Sequence, residues 1–207
     1  MRKILLLAVA CSTLAVVGTA AAVKPTAVTI SLSKSTVVFG GTVKLSGVVN
    51  SHQAGTKVRV MARAYGASSF SEIASVDTTT GGAWSYTASP VILTRYQAQV
   101  ASVMSRIVTV KVRPKIVLEL QSRTARRGTF IVTVNGARSF AGKYVLVQRL
   151  TASGPTTVKH VRLGAGSAAT FSIRLPQRRA RVRVVMSSSQ AAPGYIAGYS
   201  NVWRSSS

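Results

Sequence analysis

The stretch that decides the fold is Gly40-Gly41-Thr42-Val43-Lys44-Leu45-Ser46-Gly47-Val48. A related stretch occurs 87 positions later, as Arg127-Gly128-Thr129-Phe130-Ile131-Val132-Thr133-Val134. In each stretch a glycine turn is expected to open a strand in which apolar side chains recur at every second residue. That period is typical of a β-strand with one buried face and one solvated face. The recurrence therefore predicts two copies of one β domain.

The same offset relates further positions outside these two stretches. The related pairs are Gly55 and Gly142, Val58 and Val145, Val60 and Val147, and Trp84 and Phe171. A chain of 207 residues has room for two domains of about 90 residues each. We therefore predict a leader at residues 1–22, a first domain at 23–113 and a second domain at 114–207.

Each copy is predicted to contain seven short strands separated by turn signals. In the first copy the strands lie at residues 28–33, 42–49, 57–64, within 66–77, 84–87, 96–100 and 107–112. In the second copy they lie at 115–120, 129–135, 143–150, 158–163, 168–175, 181–186 and 199–203. No helical periodicity competes with these strands after the leader. The prediction is an all-β fold of two tandem, seven-stranded antiparallel β-sandwiches.

The N-terminus has the features of a cleaved signal peptide. Arg2 and Lys3 precede an apolar run at residues 4–17, and Ala20 and Ala22 form an A-x-A cleavage pattern. The apolar run of 14 residues is shorter than the about 20 that a membrane-spanning helix needs. We therefore expect cleavage after Ala22 and a secreted, extracellular protein.

The single cysteine, Cys11, offers an alternative reading of this leader. Val9-Ala10-Cys11 partly resembles the lipobox of bacterial lipoproteins, but Ala8 stands where that motif usually has leucine. The apolar run also continues past the cysteine, which favours a cysteine inside a signal peptide. The mature chain then lacks cysteine, which excludes disulfides, thiol catalysis and thiolate metal sites, although exported proteins commonly form disulfides.

The segment Thr94-Arg95-Tyr96-Gln97-Ala98-Gln99-Val100 resembles the sixth strand of immunoglobulin-like and fibronectin-like sandwiches. The resemblance implies that Tyr96 bonds back to nearby backbone and that Ala98 replaces the second cysteine of those folds. The mature chain as a whole is similar to tandem immunoglobulin-like domains of secreted bacterial, especially actinobacterial, proteins. Such domains usually act as spacers or as adhesive and carbohydrate-contacting modules. The second copy departs from the pattern, because Val182 stands where the first has Tyr96.

Groups that could perform catalysis are scarce in this chain. The mature acids are Glu72, Asp77 and Glu119, and the histidines are His52 and His160. Their positions offer no paired carboxylates, no His and acid to activate a serine, and no ligand spacing for zinc or calcium. We therefore expect a non-enzymatic protein with no cofactor, no metal and no small-molecule substrate.

The charge balance is strongly basic, with 27 Lys and Arg against 3 Asp and Glu, giving +24. The densest cluster is Arg174, Arg178, Arg179, Arg181 and Arg183 in the second copy. Strand alternation places Arg181 and Arg183 on one face, opposite Val182 and Val184, with the preceding turn beside them. Guanidinium groups gathered in this way suit bidentate contacts to phosphate or carboxylate.

Two functions follow from these patterns. The first is a structural or interaction module of the bacterial cell envelope or exterior, whose partner is an anionic wall polymer or another envelope protein. The second is polyanion binding through the arginine-rich surface, with acidic wall polymers, DNA or anionic lipid as ligands and a steep salt dependence. Few aromatic residues accompany the charges, so base recognition is not expected. A basic surface that only keeps the protein soluble explains the same charges.

Overall fold

A computed structural model describes residues 24–176 and 180–205 of the chain. Within these residues the first nine strands are β1 (Ser31–Leu32), β2 (Thr36–Val38), β3 (Val43–Val48), β4 (Lys57–Ala64), β5 (Ser71–Asp77), β6 (Ala83–Ala88), β7 (Thr94–Val100), β8 (Val103–Met104) and β9 (Val108–Arg113). The next eight are β10 (Lys115–Arg123), β11 (Arg127–Asn135), β12 (Tyr144–Thr151), β13 (Gly154–Arg162), β14 (Ala168–Arg174), β15 (Arg181–Met186), β16 (Gly198–Tyr199) and β17 (Trp203–Arg204). A 3-10 turn at Thr80–Gly82 and one short helix, α1 (Ser188–Ala191), complete these elements. The predicted all-β class is confirmed.

The strands form four sheets, two before Pro114 and two after it. The first two sheets have the orders β1-β3-β6 and β2-β9-β7-β4-β5, with β8 also paired to β7. The other two have the orders β10-β11-β14 and β13-β12-β15-β16, with β17 also paired to β15. Among the described residues no strand of the first group pairs with a strand of the second. This arrangement fits a tandem β-sandwich.

The first predicted strand is interrupted, and its continuation changes sheet. Only Ser31–Leu32 pairs with β3, and the chain then turns so that β2 runs parallel to β9 in the other sheet. Val37 on β2 is buried, and Phe39 donates its N–H to the Arg113 carbonyl at 2.8 Å. The expectation of purely antiparallel pairing is wrong here, because β2 satisfies the otherwise open backbone edge of β9 while burying Val37.

The two halves share a glycine turn before their third predicted strand. Gly55 has φ of 78° and Gly142 has φ of 77°, in the left-handed region that favours glycine. Each donates its N–H to a carbonyl just after the neighbouring strand, at 2.8 Å to Thr78 after β5 and at 2.9 Å to Leu163 after β13. The turn therefore has the same conformation at both positions related by the 87-residue offset.

The glycines of the first motif are not equivalent in this way. Gly40 lies in a turn with φ of 85°, and Gly41, the counterpart of Gly128, follows it before β3 begins; Gly128 instead lies inside β11. A Cβ on Gly128 would lie 2.7 Å from the Phe130 ring and 2.8 Å from Leu175. The predicted glycine turn before the second copy of this strand is therefore wrong, because the glycine there makes room for packed side chains.

The aromatic ring of Phe130 joins the two sheets of the second half. It stacks on Phe171 of the same sheet, with centroids 5.8 Å apart, and meets Trp203 of the other sheet edge-on at 5.1 Å.

The last predicted strand is split into β16 and β17 because Asn201 turns toward β10. Its amide accepts from the Leu118 N–H and donates to the Leu118 carbonyl, both at 2.9 Å.

Residues 192–197, which we call the junction loop, belong to the second half and form hydrogen bonds with the first. Leu93 donates its N–H to Gly194 at 2.9 Å, and Ile196 donates its N–H to Val112 at 3.0 Å. The Tyr195 hydroxyl donates to the Val91 carbonyl at 2.6 Å and accepts from the Ala137 N–H at the same distance. These hydrogen bonds hold residues 194–196 of the second half against residues 91–93 and 112 of the first half.

The one helix in the described ranges, α1, is too short for sequence periodicity to predict. The Ser187 side chain caps it by accepting a hydrogen bond from the Gln190 N–H at 3.4 Å. Within residues 24–176 and 180–205, no helix is long and apolar enough to cross a membrane.

Candidate polyanion interface

Arg181 and Arg183 lie on the outer face of the five-stranded sheet. Val182 and Val184 alternate with them on β15 and are fully buried, whereas Arg181 is exposed and Arg183 is half-buried. The alternation of β15 thus directs both guanidinium groups away from the core.

The other members of the sequence cluster are placed differently. Arg174 ends β14, which belongs to the three-stranded sheet, and its register partner is Arg127. Arg149 donates from its guanidinium to the Arg174 carbonyl at 2.8 Å. Arg178 and Arg179 lie outside the described residues. The structure therefore groups Arg181 with Arg183 and puts Arg174 on a different sheet.

Strand register adds an arginine that the sequence cluster did not contain. Arg204 on β17 lies directly opposite Arg181 on β15, and both side chains are exposed. Like charges in this position disfavour the pairing of the two strands. The sequence shows a basic residue at this position near the C-terminus, but only the register between β15 and β17 makes Arg204 a neighbour of Arg181.

A tyrosine and an arginine from the first half complete the group. Tyr199 is 50% exposed, and the guanidinium carbons of Arg183 and Arg113 lie 5.3 Å and 5.4 Å from its ring centroid. Such contacts stabilise each cation by about 0.5–1 kcal/mol at exposed sites. The sequence pattern did not reveal this group, because Arg113 lies 70 positions before Arg183. We call Arg113, Arg181, Arg183, Arg204 and Tyr199 the arginine surface.

Neutral groups hold two of these guanidiniums. Arg183 donates from Nε to the Gln148 side-chain oxygen at 2.9 Å, and Arg113 donates to the Ala197 carbonyl. A guanidinium has five N–H donors, so each of these side chains keeps several for a ligand. The geometry provides fixed, charged donors without neutralising them.

Carboxylates do not compensate the arginine surface within the described ranges. The one ion pair found there joins Lys57 to Asp77 at 3.1 Å, and both side chains are exposed. Glu72 lies on the edge strand β5, and Glu119 lies on β10 of the other half. The arginine surface therefore presents cationic charge to solvent, which favours binding of anions carrying closely spaced charges.

The remaining polar groups are dispersed over the molecule. His52 contacts the Gly81 carbonyl at 3.2 Å, whereas His160 is exposed on β13. Among residues 24–176 and 180–205, no group of three or more His, Cys, Asp or Glu could hold a metal ion.

An open groove of about 670 Å³ crosses the outer face of β1, β3 and β6, where Ser31, Ser46 and Ser85 form one row.

Tyr96, which carries the resemblance to immunoglobulin-like folds, is buried inside β7. Burial raises the pKa of its hydroxyl to about 12, and the Thr94 side chain partly opposes this rise by hydrogen bonding. Thr94 itself donates to the Ile92 carbonyl at 2.7 Å.

No family model and no curated protein sequence matches this chain. Among solved structures the chain is similar to one described as the crystal structure of a tetra-tandem repeat in the extending region of a large adhesion protein. The two are 13% identical with a TM-score of 0.35, over 86% of this chain and 48% of that one. The chain thus spans about half the length of the adhesion-protein structure.

Proposed function

We propose that this chain is a secreted, non-enzymatic interaction module of the bacterial cell envelope or exterior that binds an anionic partner. The observation that carries the proposal is the arginine surface, where four guanidinium groups lie without a carboxylate partner among the described residues. Such a surface attracts polyanions, and each phosphate contact releases counterions from the polymer.

The proposal includes two tandem immunoglobulin-like domains, at residues 23–113 and 114–207. Its support is that each half has its own pair of sheets and that the seven predicted strands of each half have counterparts in order. The first half adds β2 and β8, and the second half splits its last strand into β16 and β17. The fold alone hosts many functions, so the function rests on the charged surface.

Export is part of the proposal and has its own test. N-terminal sequencing of protein recovered from culture medium should begin at Val23, the residue after Ala22. Recovery only from membranes, with lipid attached at Cys11, would replace the secreted protein by the lipoprotein alternative. Recovery only inside the cell would contradict export altogether.

The anionic partner is tested with residues 23–207 and isolated cell-wall material at about 0.15 M salt. We expect the protein to sediment with wall material that carries phosphate-containing polymers and to remain in solution once those polymers are removed chemically. Binding should weaken steeply as salt is raised. If no wall component, envelope protein or soluble polyanion is bound at this salt concentration, the proposed function is wrong.

A further inference from the structure

The arginine surface is assembled from both halves of the molecule. Arg113 ends β9, the last strand of the first half, whereas Arg183 and Tyr199 belong to β15 and β16 of the second. The Arg113 guanidinium donates to Ala197 in the junction loop, two residues before Tyr199. The contact that fixes Arg113 therefore also brings it to the Tyr199 ring.

The positions of these donors are set before any ligand arrives. Arg183 is held by Gln148 on the neighbouring strand, and Tyr199 lies under both guanidiniums. Arranging long side chains in advance reduces the entropy lost on binding, which is about 0.5–1.5 kcal/mol for each side chain that becomes ordered. Exposed lysines elsewhere on the chain have no such support in the described residues, apart from Lys57 and Lys159.

We infer that Arg113, Arg183 and Tyr199 form a composite site for a linear polymer of tetrahedral oxyanions, phosphate or sulfate, across the junction of the two halves. This inference rests on the proposed binding of an anionic partner and assigns its location and chemistry. Arg113 and Arg183 donate to one anionic group, and Tyr199 supports both cations. Arg181 and Arg204 extend the site along β15 and β17.

The spacing of the strand positions that carry these arginines favours a densely charged polymer. Arg181 and Arg183 are two residues apart on one strand, a separation of about 6.6 Å along the strand, and Arg204 is one strand away, at about 4.8 Å. A carboxylate has two oxygens, which the fork of a single arginine can satisfy. A phosphate or sulfate group in a chain has oxygens directed to more than one side, so neighbouring arginines can share it.

The experiment uses residues 23–207 with long-chain polyphosphate as the probe, and calorimetry at about 0.15 M salt measures the affinity. The site variant is Arg113→Gln with Arg183→Gln. Its control is Lys34→Gln with Lys44→Gln, which removes the same charge from two exposed side chains of the first half. We expect the site variant to bind about tenfold more weakly, as for loss of charge-assisted hydrogen bonds, and the control less than about twofold more weakly.

Single substitutions test whether the site is shared between the halves. Arg113→Gln and Arg183→Gln should each weaken binding several-fold, and Arg113→Lys should restore only part of the loss because lysine lacks the planar fork. Tyr199→Phe should bind like the unmodified chain, whereas Tyr199→Ser should bind more weakly. Melting temperatures identify any variant that loses affinity because it unfolds. If Arg113→Gln unfolds, the affinities of Arg113→Lys and Tyr199→Ser decide whether the site is shared between the halves.

The outcomes separate this inference from the proposed function. Equal losses in the site variant and the lysine control would overturn the site while leaving polyanion binding intact. An Arg113→Gln variant that binds like the unmodified chain would overturn the sharing across the junction. Polyglutamate binding as tightly as polyphosphate would overturn the preference for tetrahedral oxyanions over carboxylates. Comparing the affinities for heparin and polyphosphate distinguishes sulfate from phosphate. If the unmodified chain binds no polyanion, the proposed function fails as well.

Discussion

Gly47 on β3 lies against the backbone of the preceding segment and the indole of Trp84. A Cβ at this position would lie 1.9 Å from the Thr29 carbonyl oxygen and 2.7 Å from the Trp84 Nε1 atom. The backbone of both segments is held by hydrogen bonds, including Thr29 N–H to Val48 at 2.9 Å. At this residue only glycine fits without a shift of the backbone.

We therefore predict that Gly47→Ala lowers the free energy of unfolding by about 1–3 kcal/mol, the usual cost of overpacking. The control is Gly166→Ala, since no atom lies within 4 Å of a Cβ built there. Urea denaturation of both variants measures the difference. Equal stability of the two variants would show that the backbone at Thr29 and β3 are not as close as described.

Tyr96 gives a prediction at alkaline pH. Its folded-state pKa of about 12 lies above the ordinary value of 10.0, because burial disfavours the charged form. The stability from the neutral hydroxyl is fully present below pH 10 and is lost as pH rises from 10 through 12. The free energy of unfolding should fall by up to about 1.4 kcal/mol per pH unit from this group. Denaturation of Tyr96→Phe over the same range should show a shallower fall, and an identical fall would assign the effect to other groups.

At the level of elements, the junction loop is where the two halves meet. Gly194 has φ of 81°, and its carbonyl accepts the Leu93 N–H. A Cβ at Gly194 would lie 2.5 Å from the Ile92 Cδ1 atom and 3.3 Å from the Tyr65 ring. The loop therefore needs glycine for its backbone conformation and also for its contact with the first half.

A matched pair of variants separates these two requirements. Gly66 has φ of 90° but nothing within 4 Å of a built Cβ, so Gly66→Ala carries only the cost of left-handed backbone, about 1–2 kcal/mol. Gly194→Ala should carry that cost and roughly 1 kcal/mol more for displacing Ile92. Thermal unfolding compares the two. A smaller loss in Gly194→Ala than in Gly66→Ala would contradict the described packing of the junction loop.

At the level of the whole molecule, charge repulsion opposes folding. With 27 Lys and Arg and 3 Asp and Glu, only a few of the cations can have a carboxylate as a neighbour. Their mutual repulsion is greatest in the compact state. Salt shortens the range of this repulsion, from about 30 Å at 0.01 M to about 8 Å at 0.15 M.

We therefore predict that the melting temperature of residues 23–207 rises between about 0.01 M and 0.15 M salt. Each kcal/mol of repulsion that is screened should add about 2–4 °C. A variant with Lys24→Gln, Lys34→Gln and Lys111→Gln should show a smaller rise, because it has less repulsion to screen. A melting temperature that falls with added salt in the unmodified chain would contradict the prediction.

The sequence by itself determined the all-β class, because a period of two forces apolar side chains onto one face of each strand. It also placed Arg181 and Arg183 away from the core, since their positions alternate with Val182 and Val184.

The tertiary structure alone decided which strands are neighbours and in which register. No local pattern predicts that β2 pairs parallel to β9, because the pairing satisfies backbone groups more than 70 residues away. For the same reason Arg204 meets Arg181 through strand register, and Arg113 meets Tyr199 through the junction loop. The tendency of a segment to form a strand can be predicted from its local sequence, but contact between distant residues depends on how the whole chain packs.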